Sequence, residues 1–141
     1  MGVIGPEQME NQTMMRWITC IFVALSISGC ATSNSLQPGT GGSTFEVREH
    51  DYDEIWNAAV TVASRSLSIV ESNKETGILR AEKGAGMATM GEIVGIYIRP
   101  TENDAPMYTV EVQSLKRSKL QITGQDWTET MIAGMKAELE Q

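Results

Sequence analysis

The sequence lacks a long apolar run and is poor in histidine, cysteine and aromatic residues. Its most apolar stretch, Trp17–Ile27, spans eleven residues, whereas a transmembrane helix needs roughly 20. The single histidine, His50, has no second histidine to share a zinc ion with. Asp51 beside it would point the other way on a strand and fits a helix cap better. We therefore predict no catalytic residue, no metal and no bound cofactor, and a protein that is not an enzyme.

Positive charge is also scarce along the chain. The 11 Lys and Arg residues are outnumbered by 18 Asp and Glu residues, which gives a formal net charge of −7 at neutral pH. An acidic chain is disfavoured as a nucleic-acid binder, and it offers no polybasic segment for an anionic membrane surface. We therefore expect neither a nucleic-acid partner nor a membrane contact made by charge alone.

The informative feature is a short apolar segment that ends in small residues and a cysteine. It follows Arg16, and residues 25–30 read LSISGC. The length is typical of the apolar region of a secretory signal peptide, and the ending resembles the lipobox of bacterial lipoproteins. That resemblance implies cleavage between Gly29 and Cys30 and a covalent lipid on Cys30. Two or more acyl chains would hold the protein stably on a membrane; the alternative is an ordinary buried thiol at Cys30.

These patterns divide the chain into four segments. Residues 1–13 contain two glutamates where a signal peptide should be positive, so we predict that they lie upstream of the true start. Residues 14–29 are then the lipoprotein signal peptide. Residues 30–43, rich in Ser, Thr and Gly, are predicted to form a flexible, lipid-anchored tether. Residues 44–141 are predicted to form a single periplasmic domain.

The residues next to the cleavage point indicate a location. In enteric-type sorting an aspartate after the lipidated cysteine retains a lipoprotein in the inner membrane, and here Ala31 follows instead. We therefore expect the periplasmic face of the outer membrane. Because Cys30 is the last cysteine, its lipidation would leave the folded part without a disulfide.

Two amphipathic helices are predicted from apolar residues spaced four apart. The first stripe follows a possible capping box, Asp51 with Glu54. The second follows the same pattern at Asp126 and Glu129, and Gly134 within it would allow a close approach to a neighbour. The two stripes are Ile55, Ala59, Ala63 and Leu67, and Trp127, Met131, Met135 and Leu139.

Alternation and β-branched residues predict strands between the two helices and one strand before them. Residues 74–77 are a plausible hairpin turn with Gly77 at positive φ. The predicted strands are 45–48, 68–73, 77–83, 92–99 and 107–115, with a short last one at 120–123. The order predicts an α+β fold: two layers, a mostly antiparallel sheet, and two helices packed on one face.

One sheet face and one basic cluster are possible partner surfaces. If alternate residues of strand 92–99 face the helices, Ile93 and Tyr97 face away, and Gly95 leaves a shallow notch between them. The basic cluster follows the next strand and consists of Lys116, Arg117 and Lys119. The simpler interpretation of that cluster is a solvated turn.

The loop 84–91, GAGMATMG, has three glycines but lacks the Lys-Ser/Thr ending of a phosphate-binding loop. Its two methionines, Met87 and Met90, have the soft thioethers that Cu(I) prefers. We expect instead that they cover the edge of the core.

A family resemblance rests on IWNAAV at residues 55–60 and on SIVESNKETGILRAE at residues 68–82. This pattern is similar to small proteobacterial lipoproteins of uncharacterised families and, more loosely, to the helix-grip domains of the outer-membrane assembly lipoprotein BamC. The resemblance implies a two-layer α+β domain and an adaptor role. We expect a non-enzymatic interaction module that binds an envelope protein or a cell-wall component. The alternative is a small-ligand or lipid binder with a cavity between sheet and helices.

Overall fold

The computed structural model describes residues 31–87, 89–101, 107–118 and 120–141. The predicted signal peptide, the cleavage residue Gly29, the lipidation residue Cys30 and the basic residue Lys119 lie outside the described residues. Within these ranges, no helix is both long and apolar enough to cross a membrane.

Five strands form one antiparallel sheet. They are β1 (Ser43–Arg48), β2 (Ser68–Asn73), β3 (Ile78–Lys83), β4 (Glu92–Pro100) and β5 (Met107–Lys116), and they lie side by side in the order β1-β5-β4-β3-β2. With two helices added, this confirms the predicted α+β layout. The β2–β3 turn contains Gly77 at a φ of 69°, as predicted.

The short strand predicted at residues 120–123 is wrong, because that segment is irregular. Strand β5, which precedes it, already pairs with β1 on one side and with β4 on the other. The segment therefore cannot turn back and pair with β5 as a hairpin.

Helix α1 (Tyr52–Ser64) begins where the capping box predicts. The Asp51 carboxylate accepts a hydrogen bond from the Glu54 backbone N–H at 2.9 Å, and the Glu54 carboxylate accepts one from the Asp51 N–H at 3.0 Å. The two bonds satisfy donors that the first helical turn leaves unpaired. The predicted stripe from Ile55 to Leu67 is buried throughout.

Helix α2 (Thr128–Leu139) differs from its prediction at the N-terminus. The predicted capping box does not form: Trp127 occupies the cap position, and the Asp126 carboxylate accepts from the Thr128 N–H at 2.9 Å. Trp127 is buried in the core, and this fixes the chain direction there. A Cβ at Gly134 would lie 2.7 Å from Cγ1 of Val62, so this glycine permits the predicted close approach to α1.

The core lies between the sheet and the two helices, as predicted. Strand β4 points Val94, Ile96 and Ile98 toward the helices, and all three are buried. Trp56 and Trp127 belong to the same cluster and anchor the two helices in the core.

The opposite sheet face is covered by the segment that precedes β1. We call residues Ala31–Gly42 the strap. Its Leu36 is 2% exposed and forms a second apolar cluster with Ile93 and Tyr97 of β4. The sequence predicted a flexible tether here, but the structure shows the segment packed on the sheet. The prediction rested on the Ser, Thr and Gly content of the segment. It did not include Leu36, which packs on an apolar site formed by Ile93 and Tyr97.

Candidate functional site

The strap is bonded to the sheet along its length. The Ala31 N–H donates to the Arg117 carbonyl at 3.0 Å, at the end of β5. Arg80 Nη2 donates to the Leu36 carbonyl at 3.1 Å, and Gln113 Nε2 donates to the Gln37 carbonyl at 2.7 Å. Side chains of the sheet thus satisfy strap backbone groups that have no ladder partner.

A buried carboxylate, Glu111, holds the middle of the strap. It accepts hydrogen bonds from the Gly39 N–H at 2.7 Å, from Arg99 Nη2 at 2.8 Å and from Gln113 Nε2 at 2.6 Å. Burial alone would raise the pKa of Glu111, but the bonds from Gln113 and Gly39 and the charge of Arg99 outweigh it. The pKa of Glu111 therefore lies below its ordinary value. Glu111 is a charged clamp at neutral pH.

The predicted partner surface on this face is not available. Ile93 is 0% exposed and Tyr97 is 1% exposed, because the strap covers both. The notch expected over Gly95 is also filled: a Cβ there would lie 2.6 Å from the Tyr97 hydroxyl oxygen, so the tyrosine ring occupies that space. Both residues face away from the helices, as predicted, but their exposure was predicted wrongly.

The Tyr97 hydroxyl lies beside the Arg80 guanidinium, which also forms an ion pair with Glu71. Neither the hydroxyl nor Arg80 Nε makes a hydrogen bond of good geometry. Burial raises the pKa of Tyr97 despite the neighbouring cation, so the phenol stays protonated at physiological pH. These groups serve the underside of the strap and show no arrangement for catalysis.

Exposed apolar side chains gather at one end of the sheet instead. They come from the β3–β4 loop and from the start of the β5–α2 connection, and we call this set the apolar tip: Met87, Met90, Leu120 and Ile122. Met87 is fully exposed, and the others are 61%, 89% and 96% exposed, respectively. The prediction that the two methionines cover the core edge is therefore wrong. Leu120 and Ile122 were missed because their alternation was interpreted as a strand.

A buried polar network joins the two loops below the tip. Glu92, at the start of β4, is buried and accepts from the Thr89 hydroxyl at 2.7 Å and from Gln121 Nε2 at 3.0 Å. The side-chain oxygen Oε1 of Gln121 in turn accepts from the Met90 backbone N–H at 3.1 Å. These polar groups of the two loops thus form their hydrogen bonds toward the protein interior. The apolar side chains of the same loops point to solvent.

An open cleft of about 460 Å³ lies between the two loops, and the four tip residues line it. Single exposed apolar residues are ordinary on protein surfaces, but a contiguous group of them marks an interaction site. Among the described surfaces, the apolar tip is therefore the best candidate for a binding site.

Two members of the predicted basic cluster lie at the base of the tip. Arg117 forms an ion pair with Glu82 of β3. The Thr128 hydroxyl and backbone N–H lower the pKa of Asp126 by hydrogen bonding, and the charge of Lys116 lowers it further. The cluster is thus partly engaged with neighbouring carboxylates.

The predicted histidine, His50, takes part in a structural contact at the start of α1. His50 Nδ1 lies 3.2 Å from Oε2 of Glu54, the capping glutamate of α1. Across the described residues, no three His, Cys, Asp or Glu side chains come close enough to hold a metal ion. The layer in which a ligand cavity was predicted is packed with buried side chains, including Ile96, Val110 and Met135.

Comparison with known proteins adds little to this geometry. No protein-family model matches the sequence, and no curated protein matches it. The chain is similar to a solved structure of the adenylate sensor from AMP-activated protein kinase in complex with ZMP, at 10% identity. That likeness covers 68% of this chain and 94% of the other, with a TM-score of 0.43, which is too low to support an argument. The resemblance to envelope lipoproteins stays a prediction.

Proposed function

We propose that the protein is a lipid-anchored lipoprotein at the periplasmic face of the outer membrane, where it acts as a non-enzymatic interaction module. The observation that carries the proposal is the lipobox-like ending of the apolar segment, which predicts cleavage before Cys30. The first described residue, Ala31, is hydrogen-bonded to Arg117 at the end of β5. Acyl chains on Cys30 would therefore be attached one residue from the folded domain.

An adaptor role is supported by how the polar groups of the domain are used. Its buried carboxylates, Glu92 and Glu111, accept hydrogen bonds that pin loops and strap. A catalytic site needs a nucleophile or acid–base pair open to substrate. Rigid internal networks beneath exposed surfaces are suited to binding a partner, and we propose an envelope protein or a cell-wall component for that role.

The anchor is tested by expressing the full chain in a Gram-negative host. We expect mass spectrometry of the N-terminal peptide to show acylated Cys30 and fractionation to place the protein in the outer membrane. The Cys30→Ser variant should stay unprocessed or reach the wrong fraction while its domain remains folded. The matched control is Cys20→Ser, which changes the other cysteine and should leave acylation and location unaltered. Acylation that persists in Cys30→Ser would contradict the proposal.

The adaptor role is tested in the same cells by chemical crosslinking. We expect the wild-type protein to crosslink reproducibly to one envelope component and the mislocalised Cys30→Ser protein to lose that product. The absence of a reproducible product from correctly located wild-type protein would argue against an interaction module.

A further inference from the structure

We infer that the apolar tip is a membrane-contacting surface, and that its four side chains insert into the headgroup region of the leaflet that holds the anchor. The inference rests on the proposed lipid anchor at Cys30. It goes beyond that proposal by fixing which end of the domain faces the bilayer and by naming lipid as the occupant of the tip.

The hydrogen bonds of the strap place the anchor point and the tip at one end of the sheet. The Ala31 N–H is bonded to the Arg117 carbonyl, and the Arg117 N–H donates to the Gly91 carbonyl at 3.1 Å. Gly91 directly follows Met90, and Leu120 lies three residues after Arg117. Ala31 is therefore bonded at the base of one loop of the tip, to the same residue that is bonded to the base of the other loop.

This position restricts how an anchored domain meets the membrane. Consecutive Cα atoms are about 3.8 Å apart, so an acylated Cys30 lies one such step from Ala31. A flexible tether would let the domain tumble above the bilayer, but the strap is packed on the sheet from Ala31 onward. Acyl chains attached there reach the bilayer most directly when this end of the sheet points at it.

The chemistry of the two loops fits a lipid surface. Residues 84–91 and 117–124 contain no aspartate or glutamate, although the chain as a whole is acidic. The described connections at the opposite end of the sheet contain acidic residues, namely Glu49, Asp51 and Glu75. Exposed apolar side chains on loops without acidic residues can insert at a bilayer interface, because this removes their apolar area from water without bringing negative charge to the lipid phosphates.

The test uses the full chain, processed and acylated, in vesicles of phosphatidylethanolamine and phosphatidylglycerol. Acylation at Cys30 leaves the mature protein without a free thiol, so one introduced cysteine can carry a polarity-sensitive fluorophore. We expect probes at Leu120→Cys and Ile122→Cys to shift to the blue and to be quenched several-fold by nitroxide-labelled lipid. A probe at Glu75→Cys, in the turn at the far end of the sheet, should show neither effect.

A second set of variants tests whether the quenching depends on the apolar tip residues or only on the closeness of the whole domain to the bilayer. With the probe at Met87→Cys, the added changes Leu120→Gln and Ile122→Gln should abolish most of the quenching. The matched control Val70→Gln changes an apolar residue that is 50% exposed on β2, and it should leave the quenching unaltered. Because the replaced side chains are exposed, all these variants should keep the wild-type thermal midpoint.

The mass of the Cys30 peptide, measured on the same vesicles, distinguishes the possible failures. Acylated protein whose tip probes stay in water would overturn the inference and leave the lipid anchor standing. Cys30 without lipid would overturn both. Tip probes that become buried only when a second copy or another envelope protein is added would assign the tip to protein contacts and also overturn the inference.

Discussion

Glu111 shows how one buried charge can organise a segment far away in sequence. Its two oxygens receive a backbone N–H from Gly39, a guanidinium N–H from Arg99 and the Gln113 amide. An ionised carboxylate presents only acceptors, so it suits three converging donors, whereas the neutral amide of glutamine also presents a donor. Charge, not shape alone, is therefore what the strap requires at this position.

Replacing Glu111 with glutamine should destabilise the domain by about 1.5–3 kcal/mol, the range for hydrogen bonds to charged groups. The new amide would turn one NH2 group toward a donor that the carboxylate now accepts from. Chemical denaturation measures the loss. The control Glu46→Gln removes an exposed ion pair with Arg48 and should cost about 0–1 kcal/mol. Equal losses of unfolding free energy in the two variants would show that Glu111 stabilises the domain no more than an exposed ion pair does.

At the scale of elements, the strap is a mostly irregular segment with one 3-10 turn, Ser33–Ser35, and one buried apolar residue, Leu36. Leu36 packs on Ile93 and Tyr97, while Arg80 and Gln113 donate hydrogen bonds to the neighbouring strap carbonyls. Because the turn is short, the order of the strap depends mainly on these contacts with the sheet. Loss of the leucine should release it without unfolding the two-layer core.

The substitution Leu36→Ala should therefore produce a local defect. Buried Leu-to-Ala changes cost about 2–5 kcal/mol, and here the cost should appear as fast hydrogen exchange in residues 31–42. Peptides from α1 and β4 should keep most of their protection. Val70→Ala, on the exposed edge strand, should leave the exchange pattern unchanged. Uniform loss of protection across the chain would instead make the strap part of the global folding unit.

The elements also show what sequence patterns reveal and what they conceal. Helix α1 was predictable because its capping box and its stripe involve residues three or four positions apart. The clamp on the strap joins Gly39 to Glu111, 72 positions away, and no local pattern encodes that pairing. The tip was hidden for the same reason, since Glu92 and Gln121 bring two distant loops together. Its leucine and isoleucine alternate like strand residues, and no local pattern shows that both sides of β5 are already paired.

On the scale of the whole molecule, the described domain has two chemically different ends. One end combines Ala31, the base of the strap and the apolar tip, whereas the other end carries acidic connections. If the first end rests on the membrane, the acidic end projects into the periplasm. A partner that binds the acidic end should then be cationic or rich in hydrogen-bond donors.

Stability of the whole domain should be highest between two titration limits. The folded-state pKa values of Glu111 and Asp126 are lowered, so their stabilisation is complete above the ordinary carboxyl values of 4.5 and 3.8. It is lost as the pH falls through the folded-state pKa values, because the unfolded chain then binds more protons. Burial raises the pKa of Tyr97 above its ordinary 10.0, so its contribution is present below pH 10.0 and is lost as the pH rises further.

Thermal midpoints measured from pH 2 to 11 should therefore form a plateau with two falling limbs. The acid limb should be shallower in Glu111→Gln, which no longer has that carboxyl to protonate. Its alkaline limb should persist but weaken, because the Glu111 charge adds to the burial that raises the pKa of Tyr97. Tyr97→Phe should also have a weaker alkaline limb but an unchanged acid limb. An acid limb that is identical in wild type and Glu111→Gln would mean that other carboxyl groups govern acid unfolding and that the clamp is not a significant proton-linked site.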